Sequence, residues 1–107
     1  MEKRVVITGI GAITPIGNTK DELWKAIEEK KCGFDKITYF DTEGYKTTLA
    51  AELKNYNPLD YFEAKQAKRL DRCSQYAIIA AREAFEDSKI TKENTDFERI
   101  GVFVGSG

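Results

Sequence analysis

The first segment whose residues could do chemistry is RVVITGIGAITPIGN, residues 4–18, where an apolar run enters a loop with two close glycines. Dinucleotide-binding turns share such an opening, but they need the pattern G-x-G-x-x-G. After Gly9 and Gly11 the third glycine would fall at position 14, where the chain has Thr14, followed by Pro15. The spacing therefore excludes a phosphate cradle. Thr14, Pro15 and Asn18 suit the fixing of a turn and the capping of a helix instead.

A second glycine-rich segment, Gly105-Ser106-Gly107, follows the apolar run Ile100–Val104. Glycine allows the backbone to turn tightly or to approach a ligand closely. Two interpretations therefore stand side by side: a turn at the end of a strand, and a loop that shapes a binding pocket.

Four basic residues follow helical spacing. Lys65, Lys68, Arg69 and Arg72 lie at i, i+3, i+4 and i+7, so a continuous helix would place them on one face. Residues 63–72 carry four positive and two negative charges, a net +2, in a chain whose net charge is -1. Such a run is either a solvated helix face or a docking surface for an acidic partner.

Histidine is absent from the sequence, which excludes a Ser-His or Cys-His couple and imidazole zinc ligation within these 107 residues. The two cysteines, Cys32 and Cys73, form neither a disulfide framework nor a metal-binding spacing. Cys32 falls at the end of a predicted helix and Cys73 on the apolar stripe of another, so we expect packing or surface roles for both.

Size and charge narrow the class of protein further. A chain of 107 residues with 41% hydrophobic residues is at most one domain, or part of one. Its 17 basic and 18 acidic side chains create no global field that favours nucleic acid or an anionic membrane. The apolar runs are far shorter than the roughly 20 residues that span a bilayer. We expect a cytoplasmic protein.

Two runs that are apolar along their whole length, Val5–Ile7 and Ile100–Val104, predict central strands of a sheet covered on both faces, as in parallel α/β folds. Ligand sites in such sheets form beyond the carboxyl ends of the strands. If the two strands run parallel, both glycine-rich segments line one crevice.

Helices must position these strands. Thr19 and Glu22 predict a capping box for a helix that continues to about Lys31, with Gly33 as its left-handed cap. A longer helical stretch covers residues 64–88, divided near residues 70–71, and its second half is apolar over most of its circumference and therefore enclosed. Gln75 falls on the small polar edge of that half.

The middle of the chain is less regular. Residues 34–47 predict an ordered surface loop. Thr48–Leu53 is compatible with either a strand or a helix, and we favour a strand because no helix cap precedes it. Asn57 and Pro58 then suit the start of a short helical turn, in which asparagine caps and proline takes the first position.

Four segments together resemble the beginning of a beta-ketoacyl-acyl-carrier-protein synthase, with the type II elongating enzyme of bacterial fatty acid synthesis as the nearest match. They are RVVITGIGAITPIGNTKDELWKAI, YFDTEGY, AKQAKRLDRCSQYAIIAAREAFEDS and RIGVFVGSG. The resemblance covers residues 1–107, and it implies the N-terminal part of a thiolase-like α/β fold, layered α/β/α with a mixed sheet and incomplete as a domain.

The resemblance also implies a decarboxylating Claisen condensation, in which a cysteine carries the acyl group and malonyl-carrier protein supplies the attacking carbon. The family's cysteine, histidines and lysine lie beyond residue 107, so no catalytic residue is expected here, and the piece alone should be inactive. Lys65, Lys68 and Arg69 match the positions that dock the acidic, phosphopantetheine-bearing acyl carrier protein. Gly105, Ser106 and Gly107 would shape the acyl pocket. A homodimer is implied, and no cofactor or metal.

Three other classes of protein compete with this resemblance. A free-standing binding module would need closed edges, whereas this sequence stops after an apolar run. A nucleic-acid binder could use the basic run with Tyr61 and Phe62 for stacking, but the overall charge is wrong and no base-reading motif is present. A non-catalytic or polyketide-type relative, such as a chain-length factor, stays open because the deciding residues lie elsewhere.

Overall fold

A computed structural model describes residues 2–107. Within them lie three α-helices, a two-stranded antiparallel sheet and two 3₁₀ turns. These are α1 (Lys20–Glu28), β1 (Asp35–Lys36), β2 (Leu49–Ala50), a 3₁₀ turn at Pro58–Asp60, α2 (Ala64–Arg69), α3 (Arg72–Ser88) and a 3₁₀ turn at Phe97–Arg99.

Helix α1 begins where the sequence predicts it. The Thr19 hydroxyl accepts a hydrogen bond from the backbone N–H of Glu22 at 3.2 Å. The Glu22 carboxylate, however, accepts from the N–H of Asn18 at 2.7 Å rather than from that of Thr19. The side chain of Asn18 does not cap the helix and instead donates to the carbonyl of Lys54 at 3.0 Å. The hydroxyl bond of the predicted capping box is therefore confirmed. The carboxylate bond forms one residue earlier than predicted, at Asn18.

The end of α1 differs from the prediction. The left-handed residue is Lys30, with φ of 56°, and not Gly33. The N–H of Lys31 donates to the carbonyl of Ala26 and that of Lys30 to the carbonyl of Ile27, the paired bonds of a Schellman motif. Because these bonds satisfy the last carbonyls, the helix closes three residues before the glycine. Gly33 packs against the Pro15 turn instead.

The two predicted central strands are not formed among residues 2–107. Val5–Ile7 and Ile100–Val104 join no ladder, and Val5 and Phe103 are 93% and 97% exposed. A strand needs a neighbour for its N–H and C=O groups, and the described residues place none beside either run. The expectation of two buried parallel strands is therefore wrong for this structure, and its one described sheet is antiparallel.

That sheet is a short hairpin. Asp35 pairs with Ala50 and Lys36 with Leu49, so the favoured strand at residues 48–53 is confirmed at its centre, while its partner lies inside the predicted loop. The Glu52 carboxylate accepts hydrogen bonds from the hydroxyl and the N–H of Thr38 at 2.8 and 3.0 Å. These bonds lower the pKa of Glu52 and join the segment that follows β1 to the segment that follows β2.

The predicted division of the long helical stretch is confirmed. Leu70 has extended dihedrals, and Asp71 caps α3 by accepting from the N–H of Ser74 at 2.7 Å. An aspartate side chain that binds backbone N–H groups competes with helix continuation, which explains the break at this position. The turn at residues 58–60 is likewise confirmed, with the Asn57 side chain as its cap.

Close backbone contact joins the first glycine loop to α3. A Cβ atom at Gly11 would overlap the carbonyl oxygen of Ala80, and one at Gly9 would overlap that of Ala84. Small residues on both sides therefore set the distance between the two segments. The alanines of α3 allow the close approach that their size predicts.

Two acidic side chains of α3 hold the same loop. The Asp87 carboxylate accepts from the N–H of Ile10 at 3.0 Å and forms an ion pair with Lys20. Glu83 accepts from the N–H of Ala12 at 3.2 Å and from the N–H of Lys20 at 2.7 Å. Because Glu83 and Asp87 lie at i and i+4, one face of α3 supplies both acceptors.

The buried side of α3 differs from the predicted apolar stripe. Its buried residues are Gln75 and Ile79, again at i and i+4, whereas Cys73 and Ala77 are exposed. Ala26 of α1 and Phe62 complete the buried apolar residues of the described chain. The prediction that this helix is enclosed is therefore wrong for this structure, because the described residues cover α3 along one face only.

Replacement of Gly11 by alanine should weaken the contact between the first loop and α3. The new methyl group would meet the backbone of Ala80 rather than a movable side chain, so we expect a loss of about 1–3 kcal/mol in the free energy of unfolding. Chemical denaturation of the intact protein measures it. Gly105→Ala is the control, because a Cβ there meets no atom within 4 Å. Equal effects of both substitutions would contradict the packing described.

Asp87 should make the stability depend on pH in the acid range. The Lys20 ammonium and the Ile10 N–H lower the pKa of Asp87 below its usual 3.8. Because the folded form binds its proton less readily, the ionised carboxylate stabilises the fold above pH 3.8, and the contribution is lost as the pH falls through the lowered value.

We therefore expect Asp87→Asn to lower the unfolding midpoint at neutral pH and to differ less from the unaltered protein at about pH 3. Glu86→Gln is the matched control, since that side chain makes no hydrogen bond or ion pair within residues 2–107. A constant difference between Asp87→Asn and the unaltered protein across this range would refute the assignment.

Candidate functional site

Three predicted docking residues lie together on α2. Lys65, Lys68 and Arg69 are all exposed, and their spacing of three and four residues places them on one side of this short helix. Lys68 and Arg69 stand in its last turn, where positive charge is favourable beside the carbonyl end of the helix dipole. Nothing in the structure shows what binds there, so their docking role stays a prediction.

The fourth basic residue belongs to another helix. Arg72 is the first residue of α3, beyond the extended Leu70, so the expected stripe on one continuous helix is wrong. The cap formed by Asp71 breaks the helix between them. The guanidinium of Arg72 lies 5.0 Å from the centre of the Tyr56 ring, a distance at which a cation and an aromatic face attract one another.

A buried glutamine connects these parts. Gln75 is 3% exposed, and its Nε2 donates to the carbonyl oxygens of Ala67 and Leu70, both at 3.1 Å. Its Oε1 accepts a hydrogen bond of 2.5 Å from the hydroxyl of Tyr56. Both the nitrogen and the oxygen of the Gln75 amide are therefore hydrogen-bonded. These bonds offset the cost of burying a polar side chain.

Aromatic rings surround that hydrogen bond. Tyr56 stacks on Tyr61 with centroids 5.8 Å apart, and its edge-to-face partner is Tyr76 at 5.2 Å. Burial raises the pKa of Tyr56 above its usual 10.0, so its hydroxyl keeps the proton that it donates. Arg82 lies 5.2 Å from the centre of the buried Phe62 ring and donates to the carbonyl of Tyr61 at 3.2 Å. Two arginines of α3 thus rest on the aromatics of residues 56–62.

The glycine segment at residues 105–107 is exposed, and it does not line any of the five main pockets among the described residues. Within residues 2–107 its one side-chain polar contact is between the Ser106 hydroxyl and the Cys73 sulfur, 3.9 Å apart. No described cavity joins it to the first glycine loop. The role of Gly105, Ser106 and Gly107 in an acyl pocket stays a prediction. The shared crevice required two parallel strands, which residues 2–107 do not form.

Both cysteines are free and exposed, Cys32 beyond the end of α1 and Cys73 in the first turn of α3. Of the two roles expected for Cys73, packing or surface, the described residues show the surface one. Residues 2–107 contain no cluster of three metal-ligating side chains. None of their helices combines the length and the apolar character needed to cross a bilayer.

Sequence reasoning missed the buried Gln75. The sequence pattern puts this residue on a polar edge, because a glutamine on an amphipathic helix is usually solvated. One signal could have identified it: Gln75 lies four residues before Ile79, next to Tyr76, on the side of α3 that becomes covered. Its partner Tyr56 carried no signal of its own.

The overall fold of the described chain resembles that of a solved structure. A solved structure described as "The ishigamide ketosynthase/chain length factor" superposes with a TM-score of 0.72 at 32% sequence identity, over 83% of this chain and 22% of that one. The structure is therefore a partial α/β domain of the thiolase-like class, as the sequence predicts.

The family follows from sequence. The profile of "Beta-ketoacyl synthase, N-terminal domain" matches residues 2–107, and the chain belongs to this family. A 3-oxoacyl-[acyl-carrier-protein] synthase 2 of Staphylococcus aureus strain N315 is 50% identical over 98% of this chain. The enzyme of that name from Synechocystis sp. is 38% identical over 99% of it. The chain spans about a quarter of the length of these relatives, 25% and 26%.

Proposed function

We propose that these 107 residues form the N-terminal part of a 3-oxoacyl-[acyl-carrier-protein] synthase II, an acyltransferase of fatty acid elongation. The observation that carries the proposal is the 50% identity, over 98% of this chain, to a relative with that name. The matched family profile over residues 2–107 supports it.

In the reaction proposed for the whole protein, an acyl group is held as a thioester on a cysteine. Malonyl-carrier protein loses carbon dioxide, and the resulting carbanion equivalent attacks the thioester carbon and expels the thiolate. The present residues hold no histidine to assist these steps, and we assign the nucleophile to neither Cys32 nor Cys73. The contribution proposed for this segment is scaffold and a surface for the carrier protein, so the segment alone is expected to be inactive.

The exposed cations of α2 suit that surface. Lys65, Lys68 and Arg69 are solvated and lie in a stretch, residues 63–72, whose net charge is +2. Exposed charges accelerate the encounter with an acidic partner more than they prolong the complex, which suits a carrier that must arrive and leave in each cycle. Cytoplasmic location and a homodimer are parts of the same proposal.

A second candidate is a non-catalytic relative of the chain-length-factor type, since the structural neighbour's description includes such a factor. Its identity to this chain is 32%, against 50% for the synthase, so the synthase is favoured. Formation of a covalent acyl-cysteine by the whole protein separates the two, because a relative without the nucleophile forms none.

Reversal of charge on α2 should impair the use of the carrier protein selectively. In the full-length protein, we expect Lys68→Glu with Arg69→Glu to raise the KM for malonyl-carrier protein by about three- to tenfold, because the acidic carrier is then repelled. The rate with a malonyl N-acetylcysteamine thioester, which carries no protein, should change by less than about twofold. Steady-state kinetics with both substrates measures this.

Lys46→Glu with Lys92→Glu is the matched control, since it reverses two exposed lysines outside α2. It should leave both substrates unaffected. An equal loss of activity with the two substrates in the α2 variant would indicate misfolding. An unchanged KM for malonyl-carrier protein would refute α2 as part of the docking surface.

A further inference from the structure

The strongest unassigned feature of the molecule is the hydrogen-bonded set around Gln75. This amide is the one buried polar side chain of residues 2–107. It donates to two carbonyls at the end of α2, those of Ala67 and Leu70, and accepts from Tyr56. A single side chain on α3 therefore links α2 and the aromatic residues that precede it.

Helix α2 depends on such support. It has six residues, whereas isolated helices shorter than about 12 residues are marginal in water. No side chain caps its N-terminus, and three of its six residues carry like charges on one side. Both carbonyls that Gln75 binds belong to its C-terminal turn or to the cap residue, where orphan acceptors remain.

The same hydrogen bonds reach the fourth cation. The Tyr56 hydroxyl binds Gln75, and the ring of Tyr56 supports the guanidinium of Arg72 at 5.0 Å. Gln75 is thus bonded directly to the end of α2 and, through Tyr56, to the ring that contacts Arg72. The helix break at Asp71 separates the cations of α2 from Arg72 along the chain, and the hydrogen bonds of Gln75 reach both parts.

We propose that Gln75 is a positioning residue for carrier docking: it fixes α2 against α3 so that Lys65, Lys68 and Arg69 are held in one arrangement with Arg72. This inference rests on the proposed function, because it concerns the same surface. Gln75 touches neither substrate nor partner and acts through the orientation of α2.

The test replaces Gln75 by methionine, which has a similar length and no hydrogen-bonding amide, in the full-length protein. The loss of both bonds to α2 should raise the KM for malonyl-carrier protein by about three- to fivefold, no more than the charge reversal on α2 itself. The rate with the malonyl N-acetylcysteamine thioester should stay within about twofold. Amide hydrogen exchange across residues 64–70 should accelerate, since the turn is no longer fastened.

The double variant Gln75→Met with Tyr56→Phe separates positioning from stability. In the single variant the buried Tyr56 hydroxyl lacks its partner, and this lowers stability; removal of the hydroxyl relieves that cost while the ring beneath Arg72 is kept. The double variant should therefore have a higher unfolding midpoint than the single variant, while its KM for malonyl-carrier protein stays raised. If Gln75 had a purely structural role, the unfolding midpoint and the KM would both return toward the values of the unaltered protein.

Gln66→Met is the matched control, the same substitution at an exposed glutamine of α2 whose side chain makes no hydrogen bond within the described residues. It should leave the carrier KM and the exchange unchanged. If Lys68→Glu with Arg69→Glu raises the carrier KM but Gln75→Met does not, the positioning role is refuted and the proposed function stands. If neither variant raises it, the carrier surface itself is refuted, together with this inference.

Discussion

Backbone contact between the first glycine loop and α3 is the constraint on which the rest of the described structure depends. Side chains larger than hydrogen at Gly9 and Gly11 would collide with the carbonyls of α3, so the loop lies directly on the helix. Glu83 and Asp87 then bind the loop's N–H groups, which would otherwise remain without acceptors at this contact. Helix α1 follows from the same loop, and its first residue is held by the same carboxylates.

The opposite end of α3 organises the proposed docking surface by different chemistry. There the buried amide of Gln75 joins α3 to α2 by donating to two carbonyl oxygens at the end of α2. No glycine contact is involved in this pair of hydrogen bonds. Hydrogen bonds are directional, so they fix the angle of a short helix more narrowly than apolar contact does. The proposed docking surface thus takes its cations from two helices, and Gln75 is the side chain that we propose holds those helices in position.

The apolar runs at residues 5–7 and 102–104 have no partner strand among the described residues. Val5–Ile7 and residues 102–104 have the composition of covered strands, and they are largely solvent-exposed here. The chain spans about a quarter of the length of its relatives, and the described residues offer these runs no neighbouring strand. An apolar composition indicates that a segment can form a buried strand. The strand itself forms only where a second segment lies at hydrogen-bonding distance.

Local signals in the sequence determined the hydroxyl cap at Thr19, the turn after Asn57, the division at Asp71 and the family, because each depends on a few adjacent residue types. The end of α1 at Lys30 and the split of the basic run between α2 and α3 depended on how backbone acceptors are satisfied in three dimensions. Only the tertiary structure decided that Gln75 is buried. Whether a polar side chain is solvated or enclosed is set by the partners that folding brings to it, here Tyr56 and the end of α2, and no local pattern encodes them.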